Sequence, residues 1–138
     1  LLGGRVAEKI VFDDISAGAS NDIQRATAIA RDMVTKYGMS EKLGNVNFTT
    51  GHDEIFLGRD MAQAKPYSEE TAAVIDSEVK VLIDNAYARC REILTRDRDK
   101  LELVAQFLLK HETMDADQFR LVYEDPAALE SAVSAEEA

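Results

Sequence analysis

The pattern of apolar and polar positions is clearest in residues 17–38, which read AGASNDIQRATAIARDMVTKYG. Apolar or small residues recur there at offsets of three and four, the period of a helix with one buried face. Ser20 is a predicted N-cap, because its hydroxyl can accept a hydrogen bond from an orphan backbone N–H. Gly38 is the predicted terminator, since glycine adopts the left-handed conformation at little cost. The positions that form the stripe are Ile23, Ala26, Thr27, Ala30, Met33, Val34 and Tyr37.

Comparable stripes predict four more helices, over about residues 5–12, 69–96, 101–111 and 115–123. Ser68 is the predicted cap of the longest of them, and Asp115 with Gln118 has the spacing of a capping box. Residues 46–49 and 54–57 contain β-favouring side chains around a loop at 50–53. We therefore expect a mainly α fold, a helical bundle of about five helices with a small β-hairpin or irregular β segment. Residues 125–138 lack aromatic side chains and are predicted to be a disordered tail.

Composition excludes several classes of function. The 138-residue chain carries a net charge of −10, which argues against a general nucleic-acid or anionic-membrane surface. Cys90 is the only cysteine, so one chain can form neither a disulfide nor a cysteine-based zinc site. It falls on the apolar stripe of the longest predicted helix, which indicates a packing role. The sequence contains no apolar run long enough to span a bilayer and no signal peptide.

Asp22 is the first candidate for chemistry. It lies in the first turn of the helix predicted after Ser20, where the macrodipole favours a negative charge. From position alone, a carboxylate of the capping region is the simpler interpretation. Glu8 is a second acidic candidate, and it is interpreted either as a surface carboxylate or as a supporting group near a metal.

The two histidines do not complete a metal site by spacing. A catalytic zinc needs three protein ligands and an open position, and H-E-x-x-H is the usual source of two of them. The sequence has no H-E-x-x-H: His52 falls in a predicted loop, and His111-Glu112 is followed by Asp115 instead of a second histidine. The favoured interpretation of His52 is an exposed loop residue, with contact to a substrate as the alternative. His111 is predicted to oppose the negative end of a helix dipole.

Residues 1–44, which include GGRVAEKI and GASNDIQRATAIARDMV, resemble the peptidase domain of the FtsH family of membrane-anchored AAA+ zinc proteases. The later strings FLGRD and ETMD agree with this resemblance. It implies that Asp22, the Asp of the SND triplet, is the third protein ligand of the catalytic zinc. Where the family reads GGRAAEEI, this chain has Lys9 at the second acidic position, so a role that needs both carboxylates is in question.

The resemblance covers residues 1–124, which match only the C-terminal part of the family's peptidase domain. It implies Zn²⁺ in a site that is incomplete here, ATP and Mg²⁺ on a separate ATPase module, a homohexamer, and protein substrates. It further implies a membrane-anchored parent protein that serves protein quality control, with its peptidase domain on the cytoplasmic, stromal or matrix side; this chain itself is expected to be soluble. Eight residues are expected near the active site or along the substrate path: Gly18, Ala19, Ser20, Asn21, Val46, Asn47, Phe48 and Thr49.

Because H-E-x-x-H is missing, no catalytic residue is assigned, and the chain alone is expected to be inactive. A non-catalytic helical interaction or oligomerisation module is the alternative, since every predicted helix has one apolar face. The sequence that precedes Leu1 in the parent protein would discriminate between the two interpretations.

Overall fold

A computed structural model describes residues 1–49 and 67–129, and within them the chain is α-helical with no β-strand. This confirms the mainly α prediction. None of the helices in these two ranges is both long and apolar enough to cross a lipid bilayer. The helices are α1 (Gly3–Phe12), α2 (Ser20–Thr35), α3 (Glu69–Arg96), α4 (Arg98–His111) and α5 (Ala116–Glu124), followed by a 3₁₀ turn (Pro126–Ala128).

The chain divides into two compact units, Leu1–Arg91 and Glu92–Ala138. The first unit is built on α2 and α3, which bury four residues against each other. Ala30 and Val34 lie one turn apart on α2, as do Ile75 and Val79 on α3, so each helix presents a short apolar ridge. The partly buried side chains that surround this cluster are Leu43, Phe48, Tyr67, Leu82 and Ile83.

Helix α2 begins and ends differently from the prediction. Ser20 is its first residue and Ala19 its N-cap, with no side-chain hydrogen bond at the cap, so the predicted Ser20 cap is wrong. The helix ends at Thr35. Gly38 lies beyond it and has the predicted left-handed conformation, with a φ of 63°. A Cβ at Gly38 would lie 3.1 Å from Asn45 Cα, so this turn requires glycine for its space as well as its backbone conformation.

Residues 46–49 are irregular in the structure. The Phe48 N–H donates to the Thr35 carbonyl at 2.8 Å, and Asn47 Oδ1 accepts from the N–H and the hydroxyl of Thr49. These bonds attach the segment to the C-terminal end of α2. The segment is irregular and is not part of a β-hairpin within the described residues. The other predicted β segment, residues 54–57, lies outside the described residues, and so does His52.

The second unit packs α4 and α5 around Phe107, Val122 and Leu129, each at most 2% exposed. The predicted capping box of α5 is confirmed: the Asp115 carboxylate accepts from the Asp117 and Gln118 N–H groups, and the Gln118 side chain accepts from the Asp115 N–H.

Residues 125–129 were predicted to belong to a disordered tail, and for them this prediction is wrong. The Asp125 side chain caps the 3₁₀ turn, and Leu129, just beyond that turn, is buried in the cluster. Residues 130–138 lie outside the described part of the chain.

Candidate metal centre

Asp22 lies in the first turn of α2, as the sequence predicted. Its side chain is half-buried, and Arg25 Nη1 is 3.8 Å from its Oδ1. Both side chains retain large exposed fractions, 45% for Asp22 and 63% for Arg25, so the pair is a weak one. The carboxylate is therefore held near the positive end of a helix dipole while part of it remains accessible to a ligand.

The loop before α2 is tied back to α1 by Glu8. Glu8 Oε1 accepts a hydrogen bond from the Ser16 hydroxyl at 2.6 Å, and Glu8 Oε2 lies 3.4 Å from the Ser16 N–H that donates to it. The Gly18 N–H in turn donates to Ser16 Oγ at 3.1 Å. Ser16 was not among the residues predicted from the sequence. A serine two residues before a glycine at a helix start is a local signal for such side-chain-to-backbone bonds.

The neighbouring Lys9 has a different role. Its Nζ pairs with Asp13 Oδ1 at 2.7 Å, at the exposed end of α1. This hydrogen bond, together with the attraction between the charges, raises the pKa of Lys9 and lowers the pKa of Asp13. Lys9 therefore closes the end of its own helix, and Glu8 is the residue of this pair that contacts the loop leading to Asp22.

The predicted site residues fall into two separate groups. Gly18, Ala19, Ser20 and Asn21 run directly into the turn that carries Asp22; Ala19 is buried, while the other three are exposed. The second group, residues 46–49, is attached at Thr35, at the opposite end of α2. At 1.5 Å of rise per residue this places it roughly 20 Å from Asp22, so it cannot touch an ion that Asp22 binds. A place along a substrate path stays a prediction for these residues.

The model of peptidase family M41 matches residues 1–122. The chain belongs to peptidase family M41. It is 59% identical over 126 residues to the ATP-dependent zinc metalloprotease FtsH of Caldicellulosiruptor bescii, covering 91% of this chain and 20% of that protein. It is 54% identical over 121 residues to the FtsH of Bacillus subtilis, covering 87% of this chain and 19% of that protein. The resemblance to FtsH proteases is thereby confirmed, and the chain spans about a fifth of the length of these curated relatives.

Within residues 1–49 and 67–129, this M41 chain does not bring together the three protein ligands of a catalytic zinc. The described residues contain no group of three or more His, Cys, Asp or Glu side chains that could hold a metal ion. Asp22 offers one carboxylate, which suits one of the three ligand positions. Of the residues that the structure describes, Asp22 therefore fits a single ligand position of a zinc site, and no catalytic step is assigned to them.

The other candidate donors have different contacts. His111, in the second compact unit, packs against Phe107 with ring centroids 4.6 Å apart. Asp115, which would complete an H-E-x-x-D motif, uses its carboxylate to cap α5. Cys90 is half-buried and lines an apolar groove of about 650 Å³ with side chains of α2 and α3, and its predicted packing role stays a prediction.

Proposed function

We propose that this chain is the C-terminal part of the peptidase domain of an ATP-dependent zinc metalloprotease and that Asp22 is the third zinc ligand. Family membership supports the proposal, since relatives more than 50% identical carry this name. The observation that carries the assignment of Asp22 is its half-buried carboxylate at the start of α2, at the end of a loop that is tied to α1. The remaining two ligands and the general base come, in this proposal, from an H-E-x-x-H helix outside the 138 residues.

The residues of this chain prepare one side of the site. The N-terminal dipole of α2 favours a negatively charged side chain such as Asp22 at this position, and Arg25 Nη1 lies 3.8 Å from the Asp22 carboxylate. Gly18 and Ala19 place little side-chain bulk before the helix that begins with Ser20 and Asn21, which leaves room for a substrate backbone to approach. When bound, zinc polarises the scissile carbonyl and lowers the pKa of a water molecule at its open position.

The proposal extends to the whole protein. On the basis of the relatives' names, we infer that a separate ATPase module binds ATP and Mg²⁺ and drives the degradation of unfolded or membrane proteins. The family resemblance further supports a homohexamer, anchored to a membrane by segments outside this chain, with the peptidase domain on the cytoplasmic, stromal or matrix side. The isolated chain, with one carboxylate at the site, should not hydrolyse peptides or bind zinc with submicromolar affinity; zinc titration calorimetry is the check.

The test is the Asp22→Asn substitution in the protease that contains this chain. Asparagine keeps the size of the side chain and removes the anionic oxygen, so casein hydrolysis should fall by more than about 100-fold while ATP hydrolysis persists. Asp32→Asn is the matched control, because Asp32 lies on the same helix with an exposed side chain. Casein hydrolysis by Asp22→Asn at the rate of Asp32→Asn would refute the assignment.

A further inference from the structure

The start of α2 has no side chain that caps it. The N-cap is Ala19, which is 7% exposed and has no side-chain group that could accept a hydrogen bond. Helices usually fix their first turn with a Ser, Thr, Asp or Asn at this position. The position of the first turn, and therefore of the Asp22 carboxylate, must be set by contacts of the preceding loop.

Ser16 makes those contacts. Its hydroxyl donates to Glu8 Oε1 at 2.6 Å, a short bond of the charge-assisted kind, and accepts from the Gly18 N–H at 3.1 Å. One hydroxyl thus joins a carboxylate on α1 to the backbone just before α2. The Ser20 N–H then donates to the Ala17 carbonyl at 3.0 Å, which continues the path into the helix.

The space around Gly18 is bounded by the same two side chains, Ser16 and Glu8. A Cβ built on Gly18 would lie 3.2 Å from Ser16 Oγ and 3.7 Å from Glu8 Oε1. The first distance is tighter than an ordinary van der Waals contact, so a side chain at Gly18 would require Ser16 Oγ to shift by a few tenths of an ångström. Glycine at position 18 therefore leaves the space that the Ser16–Glu8 hydrogen bond occupies.

We propose that Ser16, held by Glu8, is a positioning residue that fixes the Asp22 carboxylate in its place for the metal. The inference rests on the proposed function of Asp22 as a zinc ligand. Ser16 does not touch the ion or the substrate in this account; it acts through the Gly18 amide and the first turn of α2. Groups that orient metal ligands in this way typically change metal affinity or activity by about 10–100-fold when they are removed.

The experiment measures zinc affinity in the protease that contains this chain, by competition with a chromophoric chelator. Ser16→Ala should weaken zinc binding by about 10–100-fold, and Gly18→Ala should act in the same direction. Ser16→Thr keeps the hydroxyl at an exposed position and should restore an affinity close to wild type. Asp13→Asn is the control from the same loop, because it breaks the exposed pair with Lys9 and leaves Ser16 untouched.

A purely structural role is separated by a spectroscopic readout. In the cobalt-substituted protein, a displaced Asp22 should change the ligand-field absorption of Ser16→Ala, and kcat for casein should fall more than KM rises. A Ser16→Ala protein with wild-type zinc affinity and an unchanged cobalt spectrum would overturn the proposal, even if it melted at a lower temperature. Asp22→Asn in the same assay separates failure of the proposed function from failure of the Ser16 proposal. If Asp22→Asn also retains wild-type zinc affinity, the proposed function fails. If Asp22→Asn loses zinc affinity and Ser16→Ala does not, only the role of Ser16 fails.

Discussion

Replacing Ile75 with alanine should remove much of the stability of the first compact unit. Ile75 is fully buried in the cluster that joins α2 to α3, in contact with a core made of Ala30, Val34 and Val79. The substitution deletes every side-chain carbon beyond Cβ, at ~0.8 kcal/mol for each methylene-sized group, and leaves a cavity that adds to the loss. We expect the free energy of unfolding to fall by about 3 kcal/mol, within the usual range for isoleucine-to-alanine changes in cores.

Urea denaturation of the 138-residue chain, followed by far-ultraviolet circular dichroism, measures this change. Hydrogen exchange of peptides from α2 and α3 then locates it, because faster exchange should be concentrated in those two helices. Val81→Ala is the matched control: Val81 lies on the same helix, is 45% exposed, and should change the unfolding free energy by less than about 0.5 kcal/mol. Equal effects of the two substitutions would refute the assignment of this cluster as the core of the unit.

Two further predictions concern polar contacts. Hydrogen bonds from Lys42 and Ser40 lower the pKa of Glu78, so the ionised form stabilises the fold above the ordinary glutamate pKa of 4.5. That contribution to stability is lost as the pH falls through the lowered pKa of Glu78. The difference in melting temperature between wild type and Glu78→Gln should therefore disappear in the same acidic range. A difference that is the same at neutral and acidic pH would contradict this prediction. Asp115→Ala removes the capping carboxylate of α5 and should cost about 1 kcal/mol in urea denaturation, whereas Asp117→Ala, in the first turn of α5, should cost less. Equal losses would count against the capping box.

The parts of the fold that depend on local chemistry could be predicted from the sequence. Helix α3 runs from Glu69 to Arg96, the predicted range, and the Ser68 hydroxyl accepts from the Thr71 N–H at its start. The capping box of α5 was predictable for the same reason, since its partners are three residues apart. In both cases a side chain bonds to backbone within one turn, so sequence spacing contains the necessary information.

The wrong predictions concern residues whose place depends on the folded arrangement around them. Leu129 is buried because it meets Phe107 and Val122, and composition alone gave no sign of that contact. Ser20 has the right chemistry for a cap, but the turn through Ala17 makes it the first helical residue instead. At the site, periodicity placed Asp22 in a first turn, while its link to a metal came only from the family resemblance. The Glu8–Ser16 bond joins a helix to a loop eight residues away, a separation that no local pattern encodes.

The position of the zinc ion relative to Asp22 is the most direct test of the central claim. In crystals of the longer protein that contains this chain, a bound zinc ion would give an anomalous difference peak at the zinc absorption edge. We predict that peak at about 2.0–2.2 Å from an Asp22 carboxylate oxygen, with the ion also bound by two imidazoles from outside these 138 residues. A zinc peak well beyond bonding distance of Asp22, with the ion held by another third ligand, would contradict it.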